Sequence, residues 1–118
     1  MNKSREALWD KFVLSHPMGT QSQTSAWGRF QEKISTRGKY WIIALKERNK
    51  IVGGTIIIRH GLAKGASWLY SGRGPVLDYK SKNLSKNMEL ILKKAKQIAK
   101  EEKAIFLRID PPLEKVLF

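Results

Sequence analysis

The 118-residue chain has no cysteine and only two histidines. The absence of cysteine excludes disulfide bonds, thiolate metal ligands and a cysteine nucleophile. His16 and His60 are far apart in the sequence, and no group of carboxylates has the spacing of metal ligands. We therefore expect neither a bound metal nor another cofactor.

Long apolar runs are also absent from the sequence. No stretch approaches the roughly 20 apolar residues that a membrane-spanning helix needs. The segment 1–6 lacks the apolar core of a signal peptide. These features predict a cytoplasmic location, with peripheral attachment to the inner face of the membrane as an alternative.

Acidic residues are scarce: ten Asp and Glu stand against 23 Lys and Arg, so the formal net charge is +13. Such an excess attracts polyanions, whether nucleic acid, anionic lipid headgroups or phosphorylated substrates. The basic residues are spread along the whole chain, so the charge does not identify the polyanion. The apolar fraction of 42% and the length indicate one ordinary globular domain.

Hydrophobic periodicity predicts an α/β chain with the element order α-α-β-β-β-α-β and a mixed sheet flanked by helices. The predicted helices span 4–15, 24–38 and 81–103, and the predicted strands span 40–45, 51–59, 66–71 and 104–110. Thr24 is the expected N-cap of the second helix. Trp27 lies in the apolar pattern of that helix, which favours a core position. The pair Gly53-Gly54 predicts a bulge or a close backbone approach.

The third helix carries an apolar stripe on one side and lysines on the other. The stripe consists of Leu84, Met88, Ile91, Ala95 and Ile98. A solvated lysine face is the ordinary interpretation. Because few acidic residues accompany the lysines, polyanion binding is the alternative, with Lys93, Lys96 and Lys100 as the candidate nucleic-acid contacts. The helix joins two strands, so we expect the fourth strand to lie parallel to a neighbour.

Arg108 and Asp110 stand at the end of an apolar strand that is halted by Pro111. We expect this strand to be buried, and buried Arg and Asp are rarely left without partners. The two residues form either a structural ion pair or part of a ligand site at the strand end, where open α/β sheets place their ligands.

Other common catalytic and phosphate-binding motifs are missing. No nucleophile elbow supports a Ser-His-Asp triad. The segment 72–75 is too short for a P-loop or a dinucleotide fingerprint, and no helix follows it directly. It is therefore interpreted as a turn that ends a strand, with a direct ligand contact as the alternative.

Three segments together resemble the N-terminal part of the Fem (FemABX-like) family, the transferases that build peptidoglycan interpeptide bridges from aminoacyl-tRNA. The segments are Gln21-Ser22-Gln23-Thr24-Ser25-Ala26-Trp27-Gly28-Arg29-Phe30, Tyr70-Ser71-Gly72-Arg73-Gly74-Pro75-Val76-Leu77-Asp78 and Phe106-Leu107-Arg108-Ile109-Asp110-Pro111. Their order, their spacing and the hairpin between them make the set more specific than any one segment. The resemblance covers roughly residues 8–111.

This resemblance implies a fold of two halves that each resemble an N-acetyltransferase domain. Residues 1–118 would then form a single domain equivalent to the first half, with the second half absent and the chain cut short. The implied reaction transfers an amino acid from aminoacyl-tRNA to the stem-peptide amino group of a UDP-linked or lipid-linked muramyl peptide. The missing C-terminal half, or a partner chain, would complete the site. This chain alone is expected to be largely inactive, because transfer needs both substrates held in attack geometry.

The resemblance also assigns candidate site residues. Asp110 corresponds to a position in the acceptor site and is a candidate base or an amine-orienting carboxylate. The candidate substrate-binding residues are Trp27, Arg29, Gln31, Lys33, Tyr70, Arg73 and Arg108. Gln31 stands where a lysine that contacts the acceptor diphosphate can occur in the family, and Arg29 or Lys33 would have to replace that charge.

Two other functions compete with this interpretation. The first is a non-catalytic basic module that binds RNA or another polyanion with the same fold. The second is an acyl-CoA-dependent N-acetyltransferase, which is disfavoured because no Gly-rich turn leads directly into a helix.

Overall fold

The computed structural model describes residues 3–111, and this part of the chain forms a four-stranded sheet with helices on both faces. The elements are α1 (Lys3–Ser15), α2 (Ser25–Glu32), β1 (Tyr40–Glu47), β2 (Lys50–Gly61), β3 (Ser67–Ser71), α3 (Leu84–Glu101) and β4 (Ala104–Ile109). The predicted order of elements is confirmed. Two helices are shorter than predicted: α2 ends at Glu32, and α3 begins at Leu84.

The strands lie in the order β1-β2-β3-β4. The β1–β2 and β2–β3 pairs are antiparallel, and the first of them is a hairpin closed by Arg48 and Asn49, which both have positive φ. The β3–β4 pair is parallel, as predicted, because α3 carries the chain back across the sheet. The sheet is therefore mixed, with a crossover at its β4 end.

The main core lies between α3 and one face of the sheet. Ile91, Ala95 and Ile98 of α3 pack against Ile57 and Leu69 of the sheet, so the predicted stripe is confirmed. Burying each large aliphatic side chain contributes about 1.5–3 kcal/mol to folding. Side chains alternate along a strand, so the neighbours of these sheet residues face the opposite side.

On that opposite side, α1 packs against β2 through the fully buried Trp9, and Val13 of the same helix is also fully buried. Trp9 lies directly on Gly54, where a Cβ would collide with the indole ring and with the carbonyl oxygen of Ile43. Gly54 also exchanges two backbone hydrogen bonds with Val76, at 3.0 and 2.7 Å. The close approach predicted from the glycine pair is confirmed, and the β1–β2 register shifts beside the pair, where Leu45 is opposite Gly53 and Lys46 is opposite Ile51.

The predicted burial of β4 is wrong. β4 pairs only with β3 among the described strands and has α3 on one face, so Phe106 is 50% exposed and Arg108 is exposed. In α2, Phe30 is exposed, whereas Gly28 and Gln31 are buried. Gly28 allows this face of α2 to pack against the sheet, because a Cβ at this position would collide with the ring of Tyr40 and a methyl group of Ile56.

Candidate functional site

A cavity of about 410 Å³ opens on the face of the sheet opposite α3. It is lined by Ser22, Trp27, Gln31, Arg37, Ile58, His60, Tyr70, Gly72, Arg73 and Asp110. The groove between α3 and β4 is larger, about 1010 Å³, but its lining is mainly apolar. The smaller cavity is the candidate site because all three sequence segments that carry the family resemblance contribute to it.

The buried side chain of Gln23 joins the first segment to the second. Its amide nitrogen donates to the carbonyl oxygen of Gly72 at 2.6 Å and to the hydroxyl of Ser71 at 3.2 Å. Its amide oxygen accepts from the backbone N–H of Ile56 at 2.8 Å. Because Gln23 is fully buried and uses both ends of its amide, it fixes the loop after β3 against the start of α2.

The third segment is attached to the same loop. The backbone N–H of Asp110 donates to the carbonyl oxygens of Ser71 and Gly74, each at 3.2 Å. A Cβ on Gly74 would collide with the Ser71 hydroxyl and with the amide of Gln23, so the loop needs glycine there. These contacts place the Asp110 carboxylate at the cavity. The hydrogen bonds and ion pairs found within residues 3–111 leave that carboxylate unpaired.

Trp27 reaches the cavity from the first turn of α2. The Thr24 hydroxyl caps this helix by accepting from the Trp27 N–H at 3.3 Å, as predicted. The Asp10 carboxylate accepts from the N–H and hydroxyl of Ser25, which ties the helix start to α1. Trp27 is half-buried and lines the cavity, so it is not a residue of the closed core.

Two lining residues, Arg37 and His60, were not singled out from the sequence. Arg37 follows α2 and donates from Nη1 to the side-chain oxygen of the buried Gln31. His60 lies near the end of β2 and stacks on Trp68, with the ring centroids 4.2 Å apart. These residues come from separate elements and share no motif, so only the fold brings them together.

The lining carries two guanidinium groups, those of Arg37 and Arg73, and within the described residues it has one carboxylate, that of Asp110. Burial lowers the pKa of His60 below its ordinary value of 6.5, and the charge of Arg37 lowers it further. His60 therefore remains neutral near pH 7. This arrangement suits a ligand that bears an anionic group together with an amine or ammonium group.

The remaining sequence candidates lie elsewhere. Arg29 pairs with Glu6 at 2.7 Å and also contacts the Ser25 hydroxyl, and neither Arg29 nor the exposed Lys33 lines the cavity. Arg108 lies over the Tyr70 ring at 5.8 Å from its centroid, next to the cavity but outside its lining. Within residues 3–111, no ion pair joins Arg108 to Asp110, so the structural-pair alternative is not realised there.

The candidate nucleic-acid lysines are on the other side of the sheet. Lys93, Lys96 and Lys100 are exposed on α3, and the first two border the apolar groove between α3 and β4. They are thus separated from the cavity by the sheet itself.

Two features are absent from the described residues. Residues 3–111 contain no cluster of three or more His, Asp or Glu side chains that could hold a metal ion. In the same part of the chain, none of the helices combines the length and apolarity needed to cross a bilayer.

The two N-terminal helices, the mixed sheet and the α3 crossover define an N-acetyltransferase-like α/β fold. Within that class, the chain belongs to the FemAB family, whose sequence model matches residues 5–118.

Similar proteins include lipid II:glycine glycyltransferases of staphylococci. The protein of Staphylococcus saprophyticus is 38% identical over 106 residues, and that of Staphylococcus epidermidis is 33% identical over the same length. Each match covers 89% of this chain and 24% of the relative. The crystal structure of FemX matches with a TM-score of 0.81 at 31% identity, over 92% of this chain and 26% of that one. The chain therefore spans about a quarter of the length of these proteins.

Proposed function

We propose that this chain forms the acceptor-binding part of a FemAB-family aminoacyltransferase. The complete enzyme would transfer an amino acid from aminoacyl-tRNA to the stem-peptide amino group of a peptidoglycan precursor. The family membership and the glycyltransferase names of the relatives support this proposal. The observation that carries it is the convergence of three segments on one cavity, where the Asp110 carboxylate has no protein partner within residues 3–111.

The extent of the chain limits what it can do by itself. It spans about a quarter of its relatives, so we propose that it corresponds to the N-terminal part of the first N-acetyltransferase-like half. The aminoacyl-tRNA would then be held largely by the rest of the enzyme or by a partner chain. The isolated chain is expected to bind the acceptor weakly and to transfer little, since the two substrates must be held together for attack.

In the proposed reaction, the acceptor amine attacks the ester carbonyl of the aminoacyl-tRNA. The new amide C–N bond forms, the ester C–O bond breaks, and the proton lost from nitrogen ends on the departing ribose oxygen. The acceptor arrives as an ammonium ion, which must lose a proton before it can attack. Asp110 either accepts this proton or orients the ammonium group. A pH profile of transfer that is unchanged by Asp110→Asn would argue against the base.

Acceptor binding can be tested by calorimetry with a UDP-linked muramyl pentapeptide. We expect saturable binding that Arg73→Gln and Asp110→Asn each weaken, the first by about tenfold, because a charge-assisted hydrogen bond contributes roughly 1.5–3 kcal/mol. The matched control is Lys93→Gln, which removes one positive charge from the opposite face of the sheet. Equal losses in Arg73→Gln and Lys93→Gln would show that only net charge matters, and would contradict the proposal.

RNA binding without catalysis is the second candidate function. It is favoured by the exposed Lys93, Lys96 and Lys100 on a helix within a chain of net charge +13. Affinity for an RNA hairpin would then fall steeply with salt, with a slope of about one log unit per log unit of salt for each phosphate contacted. Lys93→Gln would reduce that slope, whereas Arg73→Gln would not.

A further inference from the structure

Arg37 lines the cavity, and part of its guanidinium group has no hydrogen-bond partner within residues 3–111. Its Nη1 donates to Gln31, but its Nε is buried and has no hydrogen-bond partner within residues 3–111. A guanidinium group has five N–H donors in a fixed planar arrangement and cannot lose its charge. Buried donors of this kind normally have partners, so the Nε–H of Arg37 is an unsatisfied donor in the wall of the cavity.

The turn that carries Arg37 is held in place by backbone contacts. The Arg37 N–H donates to Ile34 at 2.9 Å, and the carbonyl oxygen of Thr36 accepts from Gly61 of β2 at 2.6 Å. Gln31, which is only 4% exposed, holds the guanidinium itself. Arg37 is therefore positioned before any ligand arrives, which reduces the entropy lost on binding.

The charges around the cavity also favour an anion. The ion pairs found within residues 3–111 involve Arg29, Lys39 and Arg59, and none of them uses Arg37 or Arg73. The charge of Arg37 nevertheless reaches the cavity, because it contributes to the lowered pKa of His60. Arg29 and Lys33 do not line the cavity, so they do not bring their charges to it.

We propose that Arg37, positioned by Gln31, forms with Arg73 an oxyanion subsite that takes a phosphate or carboxylate group of the ligand. Arg37 binds the oxyanion, and Gln31 is the positioning residue. This inference rests on the proposed function for the identity of the ligand, and it extends that function by naming the group that the two guanidiniums bind. The oxyanion belongs either to the diphosphate or to the peptide of the acceptor.

The subsite can be tested by recording the Nε–Hε signal of Arg37 in a ¹H–¹⁵N NMR spectrum of the chain. The probes are inorganic pyrophosphate, UDP-linked muramyl pentapeptide and the free pentapeptide. We expect a saturable shift of this signal with at least one probe. A response to pyrophosphate and to the UDP-linked ligand assigns the subsite to the diphosphate, and a response to both peptide-bearing ligands assigns it to a peptide carboxylate.

Variants provide an independent measurement. Arg37→Gln should weaken binding of the responding probe about tenfold, Arg37→Lys should weaken it less, and the charge-matched control Lys50→Gln, at an exposed position in the β1–β2 hairpin, should leave it unchanged. Gln31→Leu should shift the Arg37 signal and weaken binding, and neither effect should appear in Lys50→Gln. If Arg37→Gln does not fold, the titration of the unmodified chain still decides the question.

Failure of this inference differs from failure of the proposed function. Shifts at Trp27 and Asp110 with the UDP-linked pentapeptide, and none at Arg37 with any probe, would overturn the subsite and leave the acceptor function. A shift of Arg37 with pyrophosphate, and no response to either pentapeptide, would support the subsite and contradict the acceptor function.

Discussion

At the scale of single residues, one buried amide organises the candidate site. Gln23 lies in a segment that sequence comparison associates with the Fem family, but its structural role is not readable from the sequence. A polar residue surrounded by Ser, Thr and Gln has the pattern of an exposed turn. Gln23 is buried because its partners are the backbone groups of β2 and of the loop after β3, which are distant in sequence.

Replacing Gln23 with alanine should therefore be costly. The N–H of Ile56 and the carbonyl oxygen of Gly72 would lose their partner, and each unsatisfied buried group costs about 1–3 kcal/mol. We expect the free energy of unfolding, measured by urea denaturation, to fall by about 3 kcal/mol. The control is Gln21→Ala at an exposed position, where a change within about 0.5 kcal/mol is expected. Similar small effects in both variants would show that the network does not stabilise the fold.

His60 makes stability depend on pH. Burial and the charge of Arg37 lower its pKa in the folded chain, so the unfolded chain takes up a proton at higher pH. The free energy of unfolding must then decrease as the pH falls through 6.5 towards the lower folded pKa. The pKa of His16 is also lowered, mainly by burial, and acts in the same direction.

The measurement is Tm between about pH 7.5 and 5.5 for the unmodified chain and for His60→Phe, which keeps an aromatic ring against Trp68. We expect Tm to decrease in both proteins as the pH is lowered. The decrease should be smaller in His60→Phe, because, of the two histidines, only His16 then contributes to the pH dependence of stability. An equal dependence in the two proteins would contradict the role assigned to His60.

At the scale of elements, periodicity carried most of the information about the fold. The stripe on α3 predicted which residues pack on the sheet, because a long amphipathic helix must bury its apolar side. The same reasoning failed for β4, since an apolar strand does not reveal whether both of its faces are covered. It also failed for Trp27, which lies in the apolar pattern of α2 but lines the cavity.

The apolar stripe of α3 predicts that alanine substitutions at neighbouring positions differ clearly in how much they destabilise the fold. Ile91→Ala removes a side chain that is 1% exposed and should destabilise the fold by about 2–5 kcal/mol. Leu90→Ala removes a side chain of the same size that is 46% exposed, so it should cost much less. Chemical denaturation of both variants checks this, and equal losses would mean that α3 is packed differently.

At the scale of the whole molecule, the site is an arrangement that the chain assembles from several elements. Five residues that were predicted as site residues from the family resemblance line one cavity: Trp27, Gln31, Tyr70, Arg73 and Asp110. Arg37 and His60 could not be predicted in this way, because their position depends on how a turn and a strand end meet. The net charge also gave no information about the position of the site, since basic residues lie on both sides of the sheet.

The measurement that tests the account most directly is a residue-resolved NMR titration of the chain at moderate salt. It compares a UDP-linked muramyl pentapeptide, UDP alone and a tRNA acceptor-stem hairpin. We expect saturable shifts at Trp27, Arg73 and Asp110 with the pentapeptide that UDP alone does not reproduce. Shifts confined to the exposed lysines of α3, seen only with RNA and lost as salt is raised, would contradict an acceptor site.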